Sequence, residues 1–189
     1  MNPSSRRAFL RASCILASGF PLAACSTTTT GHVTTITLNV AEVEDYGTAI
    51  LSFATTALTI PFVATAMGPA SVALAGTVIA GLKSALDSFR AAAGTSTSVT
   101  CDNSSVKAAF DSLLSDVTQI DTLVVQTITA ASVTATGSVA SDARTAAGAA
   151  ATLIALLRAM VDSATAMTRP PPPERGAIAT IDRFVAGRA

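Results

Sequence analysis

Tryptophan is absent, tyrosine and histidine each occur once, and charged side chains make up only 13% of the 189 residues. With 12 basic groups against 12 acidic ones, the chain has no positive excess to meet phosphates. At 4% aromatics it also has few rings on which bases could stack, so no nucleic-acid partner is expected. One His and three Cys are too few for most all-protein metal sites. The common catalytic patterns are missing as well: no Gly-x-Ser-x-Gly elbow, phosphate loop, dinucleotide glycine pattern, His-Glu-x-x-His or haem-attaching Cys-x-x-Cys-His is found. These absences point away from an enzyme and imply no cofactor.

What is present begins with an address. Arg6 and Arg7 are followed at fixed distance by Phe9 and Leu10, and then by a weakly apolar run through Ala24. This resembles a twin-arginine (Tat) export signal, with Arg11 where Lys is common, a change that keeps the charge. The run ends in Leu22, Ala23, Ala24 and Cys25, which resembles the lipobox of bacterial lipoproteins. The resemblance covers residues 1–25 only, and implies that cleavage before Cys25 leaves this residue as a lipidated N-terminus. About three acyl chains, such as palmitate, at about 0.8 kcal/mol per buried CH₂, would hold such a protein stably on a membrane. Its partners would be the Tat translocase and the lipoprotein-processing enzymes. Ser26 rather than Asp after the Cys favours the outer membrane if the cell is Gram-negative.

Loss of residues 1–24 removes three arginines and no acid, leaving a mature chain with a net charge of about −3. It also removes Cys14, so that Cys101 becomes the one thiol not used by lipid and no internal disulfide remains. Cys101 lies in a polar stretch, residues 94–105, where it is either buried and unpaired or placed to bridge two copies.

The chain divides into a signal peptide (1–24), a lipidated Cys with a Ser/Thr-rich tether (25–38), a helical domain (39–168) and a proline-rich linker with a short helix (169–189). His32 falls in the polar tether and reads as solvated. Thr34, Ile36 and Leu38 alternate weakly, as in a strand.

From Asn39 onward apolar residues recur at steps of three and four. The first helix carries Val43, Ile50, Phe53, Ala57 and Ile60, and stops or kinks across residues 61–68. A second opens at Pro69 and carries Val72, Ala75, Ile79, Leu82, Leu86 and Phe89. A third follows the cap-like Asp102, Asn103 and Ser104, with Val106, Phe110, Leu113, Val117, Ile120, Val124 and Ala131. The fourth has Val139, Ala143, Ala146, Ala150, Leu153, Leu157, Met160 and Met167, and ends at Arg169 and Pro170 to Pro173. The expected fold class is all-α, an antiparallel up-and-down four-helix bundle, with Ile178, Ile181, Phe184 and Val185 on a short C-terminal helix. In that arrangement Thr95 to Thr100 come back beside Val33 to Leu38 and can pair with them.

No charge occurs between Asp45 and Lys83, an interval that also has the form of a membrane hairpin. Thr48, Ser52, Thr55, Thr56 and Thr59 interrupt the first segment and favour a hairpin outside lipid. Asp111, Asp116 and Asp121 are five apart, about 140° around a helix, so they do not converge on a site. Lys83 with Asp87, and Lys107 with Asp111, read as exposed helix pairs. Met67, Met160 and Met167 read as core filler rather than as axial ligands.

The functional expectation is a non-enzymatic, lipid-anchored envelope protein with a structural or interaction role, facing the periplasm or exterior, with a protein partner or a second copy on a helix face. The alternatives are a membrane-active or pore-associated protein using residues 46–82, and a carrier of small apolar ligands between Ala- and Thr-rich seams. A helical bundle folds fast enough to need the Tat route without carrying a cofactor.

Overall fold

The computed structural model describes residues 25–30, 33–132, 136–162 and 174–188. The chain is mostly helical, as the periodicity implies. It runs β1 (Cys25–Thr30), β2 (Val33–Asn39), α1 (Val40–Leu58), α2 (Pro61–Ala93), β3 (Ser98–Thr100), α3 (Ser104–Ile120), a π-helical turn (Asp121–Val125), α4 (Gln126–Ala131), α5 (Ser138–Asp162) and α6 (Glu174–Ala186).

Local chemistry sets most of these boundaries. The Asn39 side chain accepts a hydrogen bond from the Glu42 N–H and donates to Glu42 Oε1, a reciprocal cap at the start of α1. Asn103 accepts from the N–H groups of Ser105 and Val106, which makes it the N-cap of α3. Pro61 occupies the first turn of α2, where its missing N–H costs nothing. The sequence places an interruption across residues 61–68, but helix covers most of that interval. The chain stops being helical at Thr59 and Ile60, and kinks again at Gly68, at φ 73° and ψ 163°, which only glycine adopts without strain, before helix resumes at Pro69. The third apolar run is likewise not one α-helix: five residues of π-helix separate α3 from α4.

The largest departure is at the start of the described chain. Residues expected to form a spacer are strands, with β1 and β2 antiparallel and Cys25 opposite Leu38. Thr-rich segments favour this geometry because β-branched side chains fit a pleated surface, and pairing satisfies the backbone that a free spacer would leave to water. The pairing expected between the loop after α2 and the segment before α1 is present, with Leu38 opposite Val99 and Asn39 opposite Ser98, giving a sheet of order β1-β2-β3.

The core is continuous across the helices. Val43, Ile50, Phe53 and Ala57 of α1 are buried, as are Leu82, Leu86 and Phe89 of α2, Phe110, Leu113 and Val117 of α3, and Leu153 and Leu157 of α5. Helix α1 packs on α2, α5 and α6, and α2 on α3. Phe53 meets Phe184 of α6 at 5.9 Å between centroids, and Phe89 meets Phe110 at 6.1 Å, both tilted. Several stripe positions shift. Val72 and Ile79 are only half-buried while Val78 is buried, Ala131 is half-buried, and Val139 stands 48% exposed on the side of α5 facing away from the buried Ala140.

The seam between α1 and α2 closes at Gly47, where an added Cβ would stand 2.5 Å from Leu86 Cδ2. Gly47→Ala is therefore expected to cost about 1–3 kcal/mol through overpacking, and Phe89→Ala about 3–5 kcal/mol through the cavity it leaves. Denaturant unfolding followed by helical circular dichroism measures both. An unchanged midpoint for Gly47→Ala would mean that the seam is looser than the structure has it.

Candidate functional site

Cys25 is the first residue of β1, an edge strand, and its Cα partner Leu38 is fully buried. The sheet hangs on the end of the helices where α1 and α3 begin and α2 finishes: Val40 N–H donates to the Thr97 carbonyl and Cys101 N–H to that of Ile36. Strand pairing thus ties the Cys25 backbone directly to the helical body. The export residues Arg6, Arg7, Phe9 and Leu10 and the lipobox residues Leu22, Ala23 and Ala24 lie outside the described residues, as do His32, Met167, Arg169 and the proline run.

Cys101 is unpaired, half-buried and packed against the core. Burial pushes its thiol up, Asp111 adds to this, and Lys107 opposes it. Less thiolate means a weaker nucleophile, so the fold disfavours a bridge between copies at this residue.

The acids of α3 and the π turn stay apart. Asp111 pairs with Lys107, and Asp121 with Arg158 at 3.4 Å. Asp116 lies over Gly81, where burial pushes its carboxyl up. The pairing of Lys83 with Asp87 does not form. Asp87 instead meets Arg90, which also reaches Glu44 at 3.5 Å and the Thr48 hydroxyl, so the long guanidinium bridges α2 to α1. Arg144 donates to the carbonyl and hydroxyl of Ser132, a buried polar residue at the end of α4.

Two surface regions have chemistry of their own. Helices α2 and α5 are each long and apolar enough to cross a membrane, yet only 17% of the apolar window of α2 is buried within the fold, against 39% for α5. The exposed side of α2 presents Ala66, Ala70, Ala73, Leu74 and Thr77 with no charge, and Thr77 satisfies its hydroxyl on the Ala73 carbonyl. Two grooves, of about 670 Å³ between α2 and α3 and about 500 Å³ between α5 and α6, are open to solvent, and neither is an enclosed cavity. The first is lined by Ser and Ala; the second holds Val139, Asp142, Arg183 and Arg188, the last stacked 4.2 Å over the Phe184 ring.

A third group went unseen in the sequence. Tyr46 is only 2% exposed and its hydroxyl faces the Glu174 carboxylate, while Glu42 Oε2 is buried without a hydrogen-bond partner. Burial pushes the Tyr46 phenol far above its ordinary value of 10.0, and the neighbouring carboxylates of Glu174, Glu42 and Asp45 add to this. Glu42 is itself raised, by burial first and then by Glu174 and Asp45. The Asn39-x-x-Glu42 cap and a tyrosine one turn later were visible in the sequence, but the arrival of Glu174 from the far end of the chain was not. Met160 is core filler, and among the described residues no group of three or more His, Cys, Asp or Glu is placed to hold a metal ion.

Because the folded state keeps the Tyr46 proton that the unfolded chain releases, stability is expected to fall as pH rises past about 10. As Tyr46 is the sole tyrosine, tyrosinate absorbance near 295 nm should rise only together with loss of helix. Tyr46→Phe should flatten this dependence and cost no more than about 1 kcal/mol at neutral pH, the net worth of one hydrogen bond. Tyrosinate forming while the helices persist would contradict the burial.

No family model, no curated protein and no solved structure matches the chain.

Proposed function

We propose that the chain is a Tat-exported bacterial lipoprotein, held in the cell envelope by acyl chains on Cys25 and acting there as a non-enzymatic structural or interaction module. The observation that carries this reading is the Leu22-Ala23-Ala24-Cys25 sequence followed at once by a paired strand that begins at Cys25. A lipid on that residue would be fixed to the helical body rather than tethered to it, and would set the orientation of the body on the membrane. Arg6, Arg7, Phe9 and Leu10 would direct export, with the Tat translocase and the lipoprotein-processing enzymes as transient partners. Ser26 favours the outer membrane in a Gram-negative cell, with the body facing the periplasm or exterior.

In this reading the body is an antiparallel up-and-down four-helix bundle, with α6 as an added fifth helix. The register of the cross-contacts supports it. Glu44 and Thr48 meet Arg90, Gly81 meets Asp116 while Phe89 meets Phe110, and Asp121 and Ser132 meet Arg158 and Arg144 respectively. Each pair runs in opposite chain directions. The nearly uncharged, exposed face of α2 supports a second reading, in which residues 46–82 rest on or enter a bilayer or meet a partner helix. Open grooves in place of an enclosed cavity weigh against a carrier of small apolar ligands.

Intact-mass spectrometry of the membrane-extracted protein tests the proposal. The expected mass is that of residues 25–189 plus lipid, lost in Cys25→Ser and in the Arg6→Lys, Arg7→Lys double variant. An unlipidated mass would remove the anchor. A form beginning at Ser26 is expected to be soluble without detergent; its retention in membranes would bring the α2 face forward instead.

A further inference from the structure

An apolar side chain left in water beside an open groove marks a surface that another molecule covers. Leu74, 50% exposed, is with Val139 one of the two large hydrophobic side chains that stand exposed among the described residues. It lies on the first half of α2, the helix whose apolar window is only 17% buried within the fold. Two turns further along the same helix, the open groove of about 670 Å³ between α2 and α3 begins at Gly81, with Ser84 and Ala85 on one wall and Ala108 and Ser112 on the other. At about 100° per residue, Leu74, Gly81 and Ala85 fall within about 40° of one another around the helix axis. The projecting side chain and the groove therefore share one flank of one helix.

That arrangement is self-complementary. A two-fold axis crossing α2 at the level of Thr77 and Val78 runs a second copy of the helix antiparallel to the first and sets each Leu74 opposite the partner's Gly81. The Leu74 side chain leans toward the N-terminus of its own helix, which on an antiparallel partner is toward the partner's Ala85 and into the groove. Ala73, Thr77 and Ala80, all exposed, occupy the crossing and let the two backbones approach to about 8 Å. The contact buries no charge: the chain has none between Asp45 and Lys83, and Lys83 stands half a turn round the helix from Leu74. Lipid fits this face less well, because one Leu among alanines gains little from acyl chains, whereas small side chains gain from a helix that packs closely.

We propose that α2 is the interface of an antiparallel homodimer, in which Leu74 of each copy fills the α2–α3 groove of the other. This names the partner for the reading of α2 as a contact face and rests on that reading, not on the lipid at Cys25. Helix α2 has 33 residues and is about 50 Å long. With the α3 wall of the groove beside it, a face of that length offers on the order of 800 Å² per copy, the size of a standard stable interface.

Disulfide trapping in membranes of cells that produce the full chain tests the proposal. In a Cys101→Ser background, Thr77→Cys lies beside the two-fold axis and is expected to give a disulfide-linked dimer on copper-catalysed oxidation, with the chain lacking the added Cys as the baseline. Ala91→Cys, on the same helix but about 40 Å from its copy at about 1.5 Å per residue, is not. Leu74→Asp and Ala108→Trp, each added to Thr77→Cys, should lower the trapped fraction at least tenfold. Both positions are exposed, and they lie on different helices, so either variant decides the matter if the other fails to fold. Coexpressed, the two should regain part of the trapping, because Leu74 of the Ala108→Trp chain still meets an open groove on the Leu74→Asp chain. The dimer is overturned by no trapping at Thr77→Cys, by equal trapping at Ala91→Cys, by trapping indifferent to both substitutions, or by no recovery on coexpression. Labelling of an untrapped Thr77→Cys thiol with a water-soluble maleimide then separates two failures. A thiol that labels freely belongs to an open surface, and the contact-face reading falls with the dimer; a protected thiol overturns the dimer alone and leaves lipid or another protein on the face.

Discussion

The close approach of α1 to its neighbours is the constraint on which the rest of the structure depends. A chain with few aromatics and many alanines gains little buried area per side chain, so its cohesion comes from many dispersion contacts at short range. Gly47 admits the Leu86 side chain into the α1–α2 seam. Ala49, Ala54 and Ala57 on α1, and Ala143, Ala146 and Ala150 on α5, keep the remaining seams narrow. The pairs Phe53–Phe184 and Phe89–Phe110 fill the wider spaces. Since β2 runs straight into α1 at Asn39, the placement of α1 also fixes the sheet and, through Leu38, the position of Cys25.

The second consequence concerns polarity. On helices this poor in charge, Thr hydroxyls are satisfied by bonding back to carbonyls four residues earlier, as in Thr55, Thr118, Thr127, Thr145 and Thr152. A face built this way carries no unmet polar group and few ions, and so can meet water, another helix or a lipid surface at modest cost. The exposed side of α2 has this character. In the proposed lipoprotein, Cys25 sits at the end of the body where α1 starts and α2 finishes, the end that also holds Glu42, Asp45 and Arg90. The uncharged half of α2 lies towards the opposite end. Anchor and apolar face are therefore separated along the helices, which suits a protein that stands on one membrane and presents its far end to something else.

The sequence by itself determined the helical content, through steps of three and four in apolar residues, and two of the starts, through Asn39 and Asn103, while the second helix begins at Pro61 rather than at Pro69. These are local effects: a cap or a stripe is decided within a turn or two, by the residues that compose it. The same locality explains the errors. The stop or kink expected across residues 61–68 resolves into a stop at Thr59 and Ile60 and a kink at Gly68, because Pro61 fits a first turn and the residues between continue as helix. The Thr-rich stretch looks like a spacer because a strand is stable only when paired, and the hairpin of β1 and β2 is held to the body by β3, some sixty residues on.

Tertiary structure alone decided the contacts between distant segments. Val139 is exposed because it lines the open groove between α5 and α6 rather than the seam that buries Ala140, and Asp87 prefers Arg90 because that guanidinium is held in place by Glu44 and Thr48 of α1. Glu174 meets Tyr46 only because Ile181 and Phe184 dock α6 on the body. The resemblance of residues 1–25 to export and lipidation signals is the opposite case: such signals are linear words read by other proteins, so the resemblance is legible without any fold. What lies between them and a partner is geometry, and geometry follows from packing, which a one-dimensional pattern of apolar residues limits but does not choose.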